Sequence, residues 1–177
     1  MNNLNKTKTY LAGAMDRVAD GGFGWRDKLT PLLENMGIQV LNPCRQPIRN
    51  VTENEDTRAR INYYKETGQY EKIKKEYSKI RNADLRCIDI SDFIICHVDI
   101  SVHMCGSYEE IVTANRQKKP ILIWCEQGKN QAPNWLFLML PHEHIFSNMN
   151  QLVEHLSSIH MDDSLIKSNR WLFLQDF

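Results

Sequence analysis

The chain alternates short apolar runs with longer stretches in which apolar residues return every three or four positions. Thr9 to Ala12, Ile38 to Leu41, Phe93 to Val98, Ile121 to Cys125 and Ile145-Phe146 are the short runs. Phe93 to Val98 is apolar almost throughout and is closed by Asp99, as expected of a parallel strand buried on both faces. Trp25, Leu29, Leu32, Leu33 and Met36 mark one face of a helix from about Trp25 to Met36. Gly37 is its stop, and Pro31 is a fault expected to bend it. Leu85, Ile88 and Ile90 suit a short helix ahead of Phe93. Ser107 and Glu110, three residues apart, have the form of a capping box. That form predicts a helix starting near Gly106 with carboxylates in its first turn, ended by Lys118-Lys119-Pro120. Trp135 to Leu140 predicts a short helix or a core strand. Leu152, Val153, Leu156 and Ile159 form the stripe of a closing helix from Asn150 to Ile159.

Strands and helices in strict alternation predict one doubly wound α/β domain over residues 1–177, Rossmann-like or flavodoxin-like, with about five parallel strands. Ligands of such sheets sit at the carboxyl ends of the strands. Two stretches fall there: the glycine-rich run from Gly13 to Gly24 and the Gly106-Ser107 turn. Residues 46–82 interrupt the alternation with dense charge, few aliphatic residues and tyrosines at Tyr63, Tyr64, Tyr70 and Tyr77. This reads as a partly helical insertion, loop-like through Asp56 and helical from Glu71 to Arg81. A solvated cap or an oligomer contact is its expected role, with a substrate phosphate as the alternative partner of Arg49, Arg58 and Arg60. The tail from Trp171 to Phe177 is too apolar to float free, so it docks on its own domain or enters a neighbour's site.

Composition narrows the function more than the fold. Lys plus Arg equals Asp plus Glu at 22 each, so nothing global favours a nucleic acid polymer. No apolar run approaches the roughly 20 residues a membrane span needs, and the polar start Met1 to Lys8 is not a signal peptide. Five cysteines, an odd number with no Cys-x-x-Cys pair, favour reduced thiols in a cytoplasm, with Cys87, Cys96 and Cys125 as core residues. The glycines are not spaced as a dinucleotide fingerprint or a phosphate loop, and no Gly-x-Ser-x-Gly elbow occurs. His97-x-Asp99 and His142-x-His144 lack zinc-ligand spacing, so neither a metal nor a cofactor is expected.

Tyr10-Leu11-Ala12-Gly13 at the first strand, Asp84-Leu85 before the third, and Gly106, Glu110, Ile111 and Ala114 after it together resemble the nucleoside 2-deoxyribosyltransferase family and its nucleotide N-glycosidase relatives. The resemblance runs, with gaps, from about Tyr10 to Asn134. It implies a homo-oligomer acting on a nucleoside or nucleotide and a nucleobase, with sites near subunit interfaces. The family glutamate stands four residues after the glycine and four before the alanine, which selects Glu110 over Glu109. Only one of two adjacent helical residues is expected to share a cleft with Asp84.

The chemistry explains why such residues would be needed. Breaking an N-glycosidic bond leaves an oxocarbenium-like sugar, which a carboxylate can capture as a glycosyl ester. Glu110 is the expected nucleophile, kept ionised by a helix N-terminus. Asp84 is the expected proton donor and acceptor for the bases. Tyr10 is expected to hold the nucleophile or the sugar through its hydroxyl. Gly13, Asp16, Trp25, Asp99, Gly106, Ser107 and Asn134 are the expected substrate contacts. Two departures matter. Met104 occupies the register of a family aspartate that binds the sugar hydroxyl, leaving Asp99 as the nearest acid. Pro133 and Asn134 are adjacent where the family has Pro-x-Asn.

Transfer of the 2-deoxyribosyl group between bases is therefore the leading expectation. Hydrolysis of a nucleoside 5′-monophosphate is the runner-up, with Arg17, Ser107 and backbone amides as phosphate donors. A nucleotide-binding module without turnover is the third reading.

Overall fold

A computed structural model describes residues 2–45, 48, 51, 54–162 and 170–174. Five strands form one all-parallel sheet: β1 (Lys8–Gly13), β2 (Gln39–Leu41), β3 (Phe93–Val98), β4 (Ile121–Cys125) and β5 (Ile145–Phe146). Their order is β2-β1-β3-β4-β5. This is the flavodoxin-like arrangement, and its direction of winding reverses between β1 and β3.

Side chains alternate across the sheet and sort the core into two halves. Tyr10, Ala12, Ile94, Cys96, Val98, Ile121, Ile123 and Cys125 face one side. Leu11, Phe93, Ile95 and Leu122 face the other. The first half is covered by α3 (Tyr70–Ile90), α4 (Cys105–Arg116) and the short α5 (Asn134–Met139), through Cys87, Ile88, Ile111, Ala114, Leu136 and Leu140. The second is covered by α1 (Phe23–Glu34) and α6 (Met149–Met161), through Trp25, Leu29, Leu33, Leu152, Leu156 and Ile159. Trp171 closes this second half, 1% exposed and against Phe93. The tail thus docks on its own chain at that residue; residues 175–177 lie outside the described ones.

Four local expectations need correction. Residues 46–56 are not all loop, because α2 (Glu55–Glu66) begins inside them, capped by the Asn54 side chain accepting from the Thr57 amide at 2.9 Å. The helix at 71–81 and the short helix before Phe93 are one continuous helix, α3. The residues between them, Asn82, Ala83 and Asp84, include neither proline nor glycine, so nothing breaks the backbone ladder. The Ser107–Glu110 capping box does not form: α4 begins at Cys105, Met104 is its N-cap residue, and no side chain caps it. Nor does the first turn of α4 contain an acid, so Glu110 stands in the second turn, where the helix dipole has faded. Gly37 does end the α1 region, at φ +73°.

Candidate active site

The carboxyl ends of β1 and β3 open into a cavity of about 340 Å³ on the α3/α4 side of the sheet. That volume suits a ligand of nucleoside size. Two helix stripes and a loop wall it. From α3 come Tyr77, Ile80, Arg81, Asp84 and Leu85, spaced i, i+3, i+4, i+7 and i+8, which places them on one face. From α4 come Ser107 and Glu110, members of the buried stripe Ser107, Glu110, Ile111 and Ala114. Gly13, Ala14, Met15 and Asp16 follow β1.

The Tyr10 hydroxyl donates to Glu110 Oε1 at 2.8 Å. Both residues are buried, Tyr10 at 1% exposure and Glu110 at 9%. Burial, then the charges of Glu110 and Asp84, hold the Tyr10 phenol well above its ordinary pKa. Tyr10 is therefore a proton-bearing donor at any physiological pH. Burial, followed by the same two carboxylates, pushes the Cys87 thiol up to about 12, so it is not a nucleophile. Asp84 and Glu110, from different helices, thus act on the same buried groups.

Glu109 was expected to point away from the cleft; it lines the cavity too, at the outer edge. Its carboxylate receives both Arg81 Nε at 2.8 Å and Arg81 Nη2, a two-pronged pair that holds the Glu109 pKa down. The pair is half-exposed, with 54% and 42% of the two side chains accessible. Glu110 remains the acid in contact with Tyr10, because it lies on the buried stripe and Glu109 lies off it.

Arg26, which the sequence reading passed over, is 1% exposed and lines the cavity floor. It donates to Leu11 O at 3.2 Å, Gly13 O at 3.0 Å and Gly22 O at 2.8 Å, tying the end of β1 to the start of α1. Its position three residues before Leu29 and seven before Leu33 on the buried stripe was the available signal. Gly22 takes φ +75°, and a Cβ there would strike the Ala14 carbonyl. Asp16 lines the cavity and accepts from the Tyr77 hydroxyl at 3.1 Å, so α3 braces the loop. Tyr77 was missed because its link to Asp84 depends on α3 being continuous.

Of the expected substrate contacts, Gly13, Asp16, Gly106 and Ser107 line the cavity with the three expected catalytic residues. Trp25, Asp99 and Asn134 do not. Trp25 lies under the opposite face of the sheet, with His97 and Trp124, and reaches the site only as the floor beneath Gly13. A Cβ on Gly13 would meet Trp25 at 2.9 Å. Asp99 turns outward and accepts from Ser101 N at 2.9 Å and Gln127 Nε2 at 2.7 Å, so the loop does not fold it back. Asn134 is exposed at the start of α5. Met104, which the resemblance set against a sugar-binding acid, lines the cavity with an apolar side chain. Arg17 is exposed and outside the lining. Among the described residues, no group of three or more His, Cys, Asp or Glu side chains could hold a metal ion. No described helix is long and apolar enough to cross a membrane.

Solved structures share this architecture. A 2-deoxyribosyltransferase from Bacillus psychrosaccharolyticus matches with TM-score 0.56 and 15% identity, over 83% of this chain and 90% of that one. The two chains share one fold. A 2-desoxiribosyltransferase from Leishmania mexicana matches at 0.46 with 18% identity, over 68% of this chain and only 65% of its own. A CMP N-glycosidase from Clostridium botulinum matches at 0.49 with 14% identity, over 85% and 98%. It is the Bacillus structure that establishes the common fold; identities this low carry no more than that. No protein-family model and no curated protein matches the chain.

Proposed function

We propose that this protein cleaves the N-glycosidic bond of a 2′-deoxynucleoside and passes the sugar to a second nucleobase. The observation that carries the reading is the 2.8 Å hydrogen bond from Tyr10 to Glu110 at the wall of a nucleoside-sized cavity that Asp84 also lines. Glu110 attacks the anomeric carbon as the bond to the base breaks, giving a glycosyl ester. Asp84, carrying a proton, delivers it to the leaving base. The incoming base then attacks the same carbon and gives its ring N–H proton to Asp84. The ester C–O bond breaks, and the Glu110 carboxylate is restored. Tyr10 holds one Glu110 oxygen throughout, which orients the carboxylate without taking its proton. Asp16, braced by Tyr77, and the amides of Gly106 and Ser107 are the contacts we assign to the sugar hydroxyls. No metal or cofactor enters the scheme.

The test is incubation with 2′-deoxyadenosine and a foreign base, followed by product analysis. Exchanged deoxynucleoside is expected, and its absence together with free adenine would replace transfer by hydrolysis. Neither product, with nucleoside still bound, would leave a binding module. Glu110→Gln is expected to abolish turnover while Glu109→Gln retains it. The reverse outcome would move the nucleophile to Glu109.

A further inference from the structure

The charges around the cavity bear on which substrates can enter. Among the described residues four carboxyl groups line it, on Asp16, Asp84, Glu109 and Glu110, Asp84 being the one that carries a proton in the proposed reaction, against two guanidinium groups, on Arg26 and Arg81. Neither cation stands ready for an anion. Arg26 points its N–H groups at the carbonyls of Leu11, Gly13 and Gly22 and is buried beneath the loop. Arg81, half-exposed at the rim and the cation best placed to meet an incoming group, has its fork engaged by both oxygens of Glu109. His103, Cys105, Tyr10 and Tyr77 are the other titratable side chains in the described lining. The first turn of α4 presents Gly106 and Ser107 with no side-chain cap. Those amides carry only partial charge, and they face the same space as four acids. They suit a neutral hydroxyl better than a dianion that no unpaired arginine or lysine of the described lining accompanies.

We infer that Glu109 is a specificity-determining residue: by pairing with Arg81 at the rim it leaves no unpaired arginine or lysine in the described lining of the cavity, so the site takes a nucleoside with a free 5′-hydroxyl and rejects its 5′-monophosphate. The inference rests on the proposed nucleoside chemistry but concerns which substrate is admitted, not how the bond is broken. Glu109 does not touch the reacting atoms; it acts through Arg81. Removing its charge releases a guanidinium, whose fork matches phosphate oxygens.

Binding and turnover of 2′-deoxyadenosine and 2′-deoxyadenosine 5′-monophosphate, measured side by side, test this. Wild-type protein is expected to favour the nucleoside. Glu109→Gln is expected to raise the ratio of kcat/KM for monophosphate over nucleoside at least about tenfold, a change of about 1.4 kcal/mol. The double variant Glu109→Gln/Arg81→Gln is expected to lose that gain, an outcome that simple opening of the rim would not produce. An unchanged ratio in Glu109→Gln, or a wild-type preference for the monophosphate, overturns the inference. Calorimetric titration of both ligands into Glu110→Gln, with and without Glu109→Gln, separates the two readings. A charge-dependent binding preference without turnover in any variant would sink the proposed reaction and keep the selectivity. Equal binding of both ligands would sink the selectivity alone, and binding of neither would sink both.

Discussion

Glu110 and Glu109 are neighbours in sequence with the same side chain, and their surroundings divide them. Glu110 shares a buried stripe with Ile111 and Ala114 and takes a proton-bearing phenol as its partner; Glu109 meets an arginine at the solvent edge. The Tyr10 bond ends on a carboxylate in a buried setting, where such bonds contribute about 1.5–3 kcal/mol. Tyr10→Phe is therefore expected to lower kcat for base exchange roughly 10- to 100-fold, with little change in KM, because it releases Glu110 without emptying the sugar site. An unaltered kcat in steady-state kinetics would show that Tyr10 is only a core aromatic. The register of the motif Gly106-x-x-x-Glu110 selected Glu110, and it is Glu110 rather than Glu109 that meets Tyr10. Arg26 and Tyr77 were harder to see, since the Arg26 carbonyl partners lie 4 to 15 residues away on a strand and a turn, and the Tyr77 aspartate lies 61 residues away.

The element on which the cavity depends is α3, which delivers Tyr77, Arg81 and Asp84 from one face. Its carboxyl end is held by Lys119, which reaches from the turn after α4. The Lys119 ammonium donates to Asp89 O at 2.8 Å and to the carbonyls of Ile88 and Ser91. A cation there satisfies carbonyls the helix leaves open and complements its dipole. Lys119→Met should cost about 1–2 kcal/mol of stability by urea unfolding, while the substrate preference of the folded protein stays as it was. A change below about 0.3 kcal/mol would mean that water serves these carbonyls equally well. Periodicity located both halves of α3 but not their fusion. The joining residues Asn82, Ala83 and Asp84 show no apolar repeat, and only packing against α4 and β1 shows which of their faces is inside.

For the whole molecule, the far edge of the sheet carries a second buried polar feature. His144 is 2% exposed beside His155 and Trp171, and its Nδ1 has no hydrogen-bond partner among the described residues. Burial, then the nearby His155, drives its pKa down to about 4. The folded state therefore favours neutral His144, while the unfolded chain protonates it near its ordinary value of about 6.5. Its contribution is whole above pH about 6.5 and is lost as pH falls towards about 4, by up to roughly 3 kcal/mol. Thermal unfolding from pH 7 to 4 should show this decline, and His144→Leu should flatten it. An equal slope in the variant would assign the decline to other groups.

What the sequence determined by itself was the succession of the five strands, the parallel sheet and the apolar stripes of the helices outside residues 46–90, because these follow from continuous apolar runs and from repeats of three to four residues along the chain. It also put Gly106 and Glu110 four residues apart on one helix, and both line the cavity. The tertiary structure alone decided which sheet face each strand residue meets. That choice put Tyr10 in the cavity and Trp25 beneath the opposite face, turned Asp99 outward, and joined Arg81 to Glu109 across two helices. These outcomes depend on contacts between residues far apart in the chain, and no local pattern encodes them.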